Sequence, residues 1–203
     1  MMTSPEQTIH IIDDDKAMRD SLSFLLHSAG KASRSYTSAK AFLDSGIDDL
    51  DGCIITDVRM PDMNGLELLA ELKARGTRAP IIIMTGHGDI PLAVEALKAG
   101  AADFLEKPFD DQIILQAIQK AMTSAPDSES DTLKDGFVAE LATLSPREKD
   151  VLLGVVNGKP NKVIARELGI SPRTVEVYRA HVMSKTGAHS LSDLVRMSIA
   201  VGL

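Results

Sequence analysis

The sequence has a single cysteine and no apolar segment long enough to cross a bilayer. Cys53 cannot form an internal disulfide, and a lone cysteine between apolar neighbours is typical of a small buried side chain in a reducing compartment. No stretch approaches about 18 consecutive apolar residues, and the N-terminus lacks a basic start followed by an apolar run. We therefore expect a cytoplasmic protein without a signal peptide or a membrane-spanning helix.

Internal repeats and long low-complexity tracts are also absent, and the five histidines show no metal-ligand spacing. Hydrophobic residues make up 44% of the chain and charged residues 25%, which are values of soluble globular proteins. This composition excludes wholesale disorder, a collagen-like chain and a bundle of membrane helices. The length of 203 residues is enough for one or two domains with at least one sizeable core.

The net charge of −7 is distributed unevenly along the chain. Residues 1–123 hold an acidic excess, residues 124–140 hold five acidic side chains against one basic, and residues 141–203 hold nine basic against five acidic. The middle segment is polar and begins with few apolar anchors, so we predict an acidic linker over 124–140. The basic C-terminal segment is a candidate for binding a polyanion.

Up to residue 123, short apolar runs alternate with longer amphipathic segments. The predicted strand and helix pairs are 8–12 with 16–28, 32–36 with 38–45, 53–56 with 66–75, 80–84 with 91–99, and 104–106 with 110–123. The strands are apolar without alternation, as buried parallel strands are. This pattern predicts an α/β domain over residues 1–123, a five-stranded doubly wound parallel sheet with helices on both faces.

Polar side chains follow the predicted strands at the edge where ligands bind in open parallel sheets. Asp13 and Asp14 follow the first strand, Asp57 the third, Thr85 the fourth and Lys107 the fifth. Crowded carboxylates repel one another unless a hard cation neutralises them, and Mg²⁺ prefers oxygen ligands. We therefore predict a Mg²⁺ site where Asp57 attacks a phosphoryl group, with Lys107 and Thr85 offsetting charge on its oxygens.

Each of these residues alone is an ordinary cap or loop residue, and only their combination favours phosphoryl chemistry. Two other enzyme or binder classes use a similar sheet. A phosphohydrolase of the haloacid dehalogenase type needs a carboxylate two residues after its nucleophile, where this chain has Arg59. A flavodoxin-like cofactor binder needs a phosphate-cradling loop after the first strand, where Asp13 and Asp14 would repel phosphate in the absence of a metal.

Four motifs resemble the receiver domain of two-component response regulators over residues 7–123. They are Ile11-Ile-Asp-Asp14, Asp57-Val-Arg-Met-Pro-Asp-Met-Asn-Gly65, Met84-Thr-Gly86 and Phe104-Leu-Glu-Lys-Pro-Phe109. The resemblance implies the flavodoxin-like strand order 2-1-3-4-5 and transfer of a phosphoryl group from a histidine kinase to Asp57. It also implies a Mg²⁺ ion surrounded by Asp13, Asp14, Asp57 and the backbone carbonyl of Arg59.

The same resemblance assigns Thr85 and Phe104 to a switch pair and implies a cis peptide before Pro108. It implies that the chain is no enzyme beyond catalysing phosphorylation and dephosphorylation of its own Asp57. The helix predicted over 91–99 has apolar residues on more than one face, including Leu92, Val94 and Ala96, and part of this surface lacks an evident partner within the chain. With the resemblance, this predicts a phosphorylation-dependent homodimer through that helix and the fifth strand.

Only helical patterns follow the predicted linker, over 146–157, 162–168, 172–185 and 191–201. Ser145, Pro146 and Glu148 have the spacing of a capping box at the first of these starts. The second and third helices, separated by a glycine-containing turn, match a helix-turn-helix that places its second helix in the DNA major groove. A helical hairpin that binds protein rather than DNA remains an alternative.

Residues 141–203 resemble the LuxR-type four-helix DNA-binding domain, through Leu144-Ser-Pro-Arg-Glu148, Asn161-Lys-Val-Ile-Ala165, Gly169-Ile-Ser171 and Thr174-Val-Glu-Val177. By this resemblance, the residues nearest base edges are Glu176, Val177 and Ala180, and the phosphate contacts are Lys162, Arg173, Thr174, Arg179, His181 and Lys185. Glu176 departs from the Lys often found there. A carboxylate accepts from cytosine N4 and repels phosphate, so it would contribute selectivity rather than affinity.

The combination of the two domains implies further partners and a biological role. The resemblance points to an oxygen-sensing haem kinase, to RNA polymerase, and to activation of nitrogen-fixation or microaerobic genes by binding double-stranded DNA.

Overall fold

The computed structural model describes residues 7–46, 50–86, 90–123 and 130–203. Its first half alternates strands and helices as the sequence predicts. The elements are β1 (Thr8–Ile12), α1 (Lys16–Ser28), β2 (Ser33–Tyr36), α2 (Ala39–Leu43), β3 (Gly52–Asp57), α3 (Gly65–Ala74), β4 (Ile81–Thr85), α4 (Ile90–Lys98), β5 (Asp103–Glu106) and α5 (Asp111–Thr123).

The five strands form one parallel sheet in the order β2-β1-β3-β4-β5. The predicted fold and the strand order implied by the resemblance are both confirmed. Strands β3 and β4 are buried along nearly their whole length, which explains why their sequences do not alternate. Cys53 is buried in β3, and burial raises the pKa of its thiol to about 12.

Backbone hydrogen bonds bring the carboxyl ends of the strands together. The Asp13 N–H donates to the Tyr36 carbonyl at 3.2 Å, and the Val58 N–H donates to the Met84 carbonyl at 2.8 Å. The Lys107 N–H donates to the Thr85 carbonyl at 2.7 Å, which ties the end of β5 to the end of β4. The residues that follow β1, β3, β4 and β5 therefore share one edge of the sheet.

The second half is helical and contains a helix-turn-helix. Its elements are α6 (Ser130–Thr143), α7 (Pro146–Val156), α8 (Asn161–Leu168), α9 (Pro172–Thr186) and α10 (Leu191–Ala200). Gly169 ends α8 in the left-handed region, at a φ of 66°, and the Ser171 hydroxyl caps α9 by accepting from the Thr174 N–H. Within the described part of the chain, no helix is long and apolar enough to span a bilayer.

Helix α6 lies partly within the segment predicted as a linker. Residues 124–129 of that segment are outside the described residues, whereas Ser130–Thr143 forms a helix that contacts α9 and α10. Phe137 is only 1% exposed and belongs to the core of this helical half, with Val151 and Val182 among its members. The sequence prediction missed α6 because its first half is polar and acidic and carries few apolar anchors.

The contacts of the described residues divide the chain into two compact units. One contains described residues of 1–87 and 99–123, and the other contains described residues of 88–98 and 124–203. Helix α4 therefore belongs to the second unit, where it contacts α10. Gly158 lies beside α4 in this unit, because a Cβ added to it would stand 3.1 Å from the Pro91 Cα.

The apolar surface of α4 is covered in this structure, contrary to the sequence prediction of a face without an intramolecular partner. Val94 and Ala96 are buried and Leu92 is half-buried. The contact with α10 accounts for part of this cover, and pairing of this kind cannot be deduced from the periodicity of α4 alone. A homodimer through α4 remains a prediction.

Replacing Phe137 by Ala tests whether α6 is part of the folded C-terminal unit. We expect Phe137→Ala to lower the free energy of unfolding by about 3–5 kcal/mol, because it empties a buried site. Urea unfolding followed by circular dichroism measures the change. Val138→Ala is the matched control, since Val138 is 55% exposed on the same helix. Equal stability of the two variants would contradict the assignment.

Candidate functional site

The edge of the sheet where β1, β3 and β5 end holds two carboxylates bridged by one ammonium. Lys107 Nζ lies 2.9 Å from Asp13 Oδ2 and 2.5 Å from Asp57 Oδ1. Both aspartates are buried, and the Lys107 side chain is mostly buried. Three residues widely separated in the sequence therefore meet as the strand-end pattern predicts.

The remaining oxygens of the two aspartates accept hydrogen bonds from the backbone. The Asp15 N–H donates to Asp13 Oδ1 at 2.8 Å, and the Arg59 N–H donates to Asp57 Oδ2 at 2.6 Å. The Asp57 carboxylate is thus oriented by Lys107 on one oxygen and by the loop after β3 on the other.

Burial raises the pKa of the Asp57 carboxyl, although the Lys107 ammonium and the Arg59 N–H both favour its charged form. Burial by itself would lower the pKa of Lys107, but its hydrogen bonds to Asp13 and Asp57 hold that pKa above the ordinary value. Lys107 therefore stays protonated at neutral pH and supplies the positive charge that this pair of carboxylates requires.

One contributor to this pocket was missed by sequence reasoning. Arg19, at the end of the first turn of α1, donates from Nη1 to the backbone carbonyls of Asp13 at 2.7 Å and Asp14 at 3.0 Å. The guanidinium thereby holds the loop that presents the two aspartates. No sequence motif pointed to Arg19. It donates to backbone carbonyls, which every residue has, so the spacing of side chains in the sequence does not reveal this contact.

The oxygen donors at this edge suit Mg²⁺ by their chemistry. Two buried carboxylates, Asp13 and Asp57, meet here, and the exposed Asp14 follows Asp13 directly. Among the described residues, no three His, Cys, Asp or Glu side chains are already grouped as metal ligands. The donor types fit the ion, while Lys107 compensates the charge of the two buried carboxylates.

The predicted switch residues lie on β4 and β5, the two strands on the side of β3 away from β1. Thr85 is buried at the end of β4, the strand that pairs with the one ending in Asp57. Phe104 is half-buried on β5, opposite Ile83 in the register. The peptide between Lys107 and Pro108 is cis, as the resemblance implies.

Gly65, the last residue of the motif that begins at Asp57, allows a close approach of backbone to backbone. A Cβ at this position would lie 2.4 Å from the Asp57 carbonyl oxygen. The Gly65 N–H donates to the Val58 carbonyl at 3.0 Å, and Asn64 caps α3, so the loop after β3 folds tightly onto the strand end. A side chain at position 65 would push this loop away from Asp57.

Helix α9 presents a solvent-exposed face at helical spacing. The exposed residues on this helix include Arg173, Glu176, Val177, Ala180, His181 and Lys185, all of them predicted DNA contacts. Lys162 is exposed on α8, in the first turn. A face that combines cations, one carboxylate and the apolar Val177 can contact both phosphates and base edges in a major groove.

Three of the predicted phosphate contacts are engaged within the helical unit. Arg179 Nη1 donates to Asn161 Oδ1 at 2.9 Å, and the Thr174 hydroxyl lies 2.8 Å from the Ser171 hydroxyl at the start of α9. Lys185 Nζ donates to Glu148 Oε2 at 2.7 Å. The predicted capping box between Ser145 and Glu148 is confirmed, but its link to Lys185 was not foreseen.

Comparison with known families covers both halves of the chain. The model of the response regulator receiver domain matches residues 9–119, and the model of bacterial regulatory proteins of the luxR family matches residues 142–198. The first match spans the α/β half that contains Asp57. The second spans the helix-turn-helix.

Individual relatives match over nearly the full length. The transcriptional regulatory protein FixJ of Azorhizobium caulinodans is 56% identical over 96% of this chain and 93% of its own. FixJ of Rhizobium meliloti is 50% identical over 97% of each chain. The crystal structure of full-length FixJ from B. japonicum is 51% identical, covers 98% of each chain and superposes with a TM-score of 0.57.

Replacing Gly65 by Ala tests the tight loop beside Asp57. We expect Gly65→Ala to reduce the free energy of unfolding by about 1–3 kcal/mol, since the added methyl meets backbone that cannot rotate away. Gly86→Ala serves as the control, because a Cβ there meets nothing within 4 Å. Urea unfolding of both variants gives the comparison, and a Gly65→Ala protein no less stable than Gly86→Ala would refute the steric argument.

Proposed function

The chain belongs to the two-component response regulators that join a receiver domain to a LuxR-family DNA-binding domain, and on this premise we propose that phosphorylation of Asp57 controls its binding to DNA. It is a FixJ-like transcription regulator, and this supports a role as an activator. The observation that carries the proposal is the Lys107 bridge between Asp13 and Asp57, which supplies an oriented carboxylate beside a fixed cation.

In the proposed reaction, an Asp57 carboxylate oxygen attacks the phosphorus of a phosphohistidine on a sensor kinase. A new O–P bond forms, the N–P bond breaks, and the imidazole leaves with the electron pair. The ammonium of Lys107 then offsets charge on the transferred group. We propose that the Thr85 hydroxyl, at the end of the neighbouring strand, donates to a phosphoryl oxygen.

The residues that would hold Mg²⁺ are the side chains of Asp13, Asp14 and Asp57 and the backbone carbonyl of Arg59. When bound there, the ion neutralises carboxylate charge and stabilises the charge of the phosphoryl group. Arg19 keeps the loop of Asp13 and Asp14 in position through their carbonyls. We propose that the same groups allow the protein to catalyse phosphorylation and dephosphorylation of its own Asp57.

Phosphorylation adds a charge of about −1.5 to −2 to a pocket that already contains two buried carboxylates. The proposed response is that the Thr85 hydroxyl turns to the phosphoryl group and the Phe104 ring moves inward. We propose that this rearrangement allows two phosphorylated chains to form a homodimer through α4 and β5. Because Val94 and Ala96 are buried here, the dimer requires α4 to lose part of its present cover.

The proposed DNA complex places α9 in the major groove. Glu176, Val177 and Ala180 approach base edges, while Lys162, Arg173 and neighbouring groups contact phosphates. Two chains in a dimer would read paired half-sites, and linking two weak readers raises their effective concentration on one duplex. A helical module that binds protein instead is disfavoured by the luxR-family match over residues 142–198.

Several partners extend this proposal through the resemblance to FixJ. They are an oxygen-sensing haem kinase as phosphoryl donor, RNA polymerase at the promoter, and genes of nitrogen fixation or microaerobic growth as targets. We propose a cytoplasmic location, because the promoter DNA and the RNA polymerase on which the protein would act are there.

Replacing Asp57 by Asn tests the phosphoacceptor. After incubation with acetyl phosphate and Mg²⁺, we expect intact-protein mass spectrometry to find one added phosphoryl group on the unmodified chain and none on Asp57→Asn. Asp62→Asn is the control, because Asp62 is an exposed carboxylate of the same loop. A phosphoryl group gained by Asp57→Asn would assign the acceptor to another residue.

Sedimentation of the same samples tests the dimer. The unmodified chain is expected to shift from monomer to dimer after phosphorylation, and Asp57→Asn is expected to stay a monomer. Affinity for promoter fragments, measured on these samples, should rise steeply with the dimer because half-sites are then bound together. A phosphorylated protein that remains a monomer would contradict the dimer proposal while leaving the phosphoacceptor assignment intact.

A further inference from the structure

Glu148 is a buried carboxylate outside the exposed face of α9. Its side chain is 5% exposed, and Oε2 accepts from the Ser145 N–H at 2.7 Å within the capping box of α7. The same oxygen accepts from Lys185 Nζ at 2.7 Å, and the ring of His181 lies 3.7 Å from Oε1. The Glu148 carboxylate, in the first turn of α7, therefore contacts two basic side chains of α9.

The ion pair with Glu148 gives Lys185 a partner within the protein. Lys185 and the Ser145 N–H lower the pKa of the Glu148 carboxyl to about 2, so the carboxylate is charged throughout the neutral range. A buried carboxylate that loses its cation is costly, whereas a phosphate of DNA already has counterions in solution. The ammonium of Lys185 is therefore better placed to satisfy Glu148 than to bind phosphate.

The ion pair also joins the last turn of α9, the second helix of the helix-turn-helix, to the first turn of α7. Lys185 is in the last turn of α9, and Glu148 is in the first turn of α7. The apolar anchors of α9, Val175 and Val182, fix which side of the helix faces the core. The charge-assisted hydrogen bond adds a directional constraint on the last turn of α9 to this apolar packing.

We propose that the Glu148–Lys185 pair positions α9 for base recognition, and that Lys185 is a positioning residue rather than a phosphate ligand. The proposal rests on the proposed DNA-binding function and revises one of its predicted phosphate contacts. Its consequence is selective: loss of the pair misplaces Glu176 and Val177 relative to base edges, while phosphate contacts from Lys162 and Arg173 persist.

Salt dependence separates a positioning residue from a phosphate ligand. Each phosphate contact releases counterions and contributes about −0.9 to the slope of log affinity against log salt concentration. Removing a phosphate ligand therefore lowers the magnitude of the slope and weakens binding to all sequences alike. Removing a positioning residue lowers discrimination between sequences at an unchanged slope.

The experiment uses the full chain, treated with acetyl phosphate and Mg²⁺, in five variants beside the unmodified protein. These variants are Glu148→Gln, Lys185→Gln, the double variant, Lys185→Arg as the conservative replacement, and Lys162→Gln as the phosphate-contact control. Gln at position 148 can still accept from the Ser145 N–H, so the capping box is kept. The probes are a duplex enriched by the unmodified protein from a random pool and a duplex of the same length with shuffled sequence.

We expect Glu148→Gln and Lys185→Gln each to weaken binding to the enriched duplex by about tenfold, comparable to one mismatched base pair, with the shuffled duplex and the salt slope unchanged. The double variant should be no weaker than either single variant, because both remove the same interaction. Lys162→Gln should weaken both duplexes and reduce the slope by about 0.9. Lys185→Arg, which keeps the ion pair, should restore discrimination.

Three results would overturn the proposal. A Lys185→Gln protein whose slope falls by about 0.9 has lost a phosphate contact. A Glu148→Gln protein with unaltered discrimination shows that the pair does not position α9. If the unmodified chain enriches no duplex, the DNA-binding function itself fails and this proposal fails with it, an outcome visible before any variant is made.

Discussion

The ammonium of Lys107 is the group on which the acidic site of the α/β half depends. Backbone pairing of β1 with β3 brings the buried carboxylates of Asp13 and Asp57 to one edge of the sheet, where they would repel each other without this cation. Because the Lys107 backbone is hydrogen-bonded to Thr85, the end of β4 is tied to the same group. A change of charge at Asp57 therefore affects the ends of β1, β3 and β4 together.

The helical half uses a related arrangement for a different purpose. The buried Glu148 forms an ion pair with Lys185, which is distant in the sequence. In the same way, Asp13 and Asp57 form ion pairs with Lys107. In the α/β half the ion pairs stand at Asp57, the proposed phosphoacceptor. In the helical half the pair lies beside the exposed face of α9, and its proposed role is to position that helix.

Much of the fold and of the acidic site follows from the sequence, because parallel strands are apolar runs and their carboxyl ends must share an edge. That reasoning placed Asp13, Asp57 and Lys107 together. It failed where the partner of a residue is set by tertiary packing. Helix α6 was missed because its first residues are polar, although Phe137 packs it into the core. The burial of Val94 and the pairing of Lys185 with Glu148 were missed because neither produces a periodic pattern in the sequence.

Cys53, buried in β3, can be used as a chemical probe of how often this region of the protein opens. A thiolate is the species that reacts with alkylating reagents, and a buried thiol with a pKa of about 12 offers almost none. Because the chain has one cysteine, any alkylation measures a single position. The rate at which a thiol reagent labels the native protein thus reports how often the core around Cys53, which includes Leu22 of α1 and Ile118 of α5, opens to solvent.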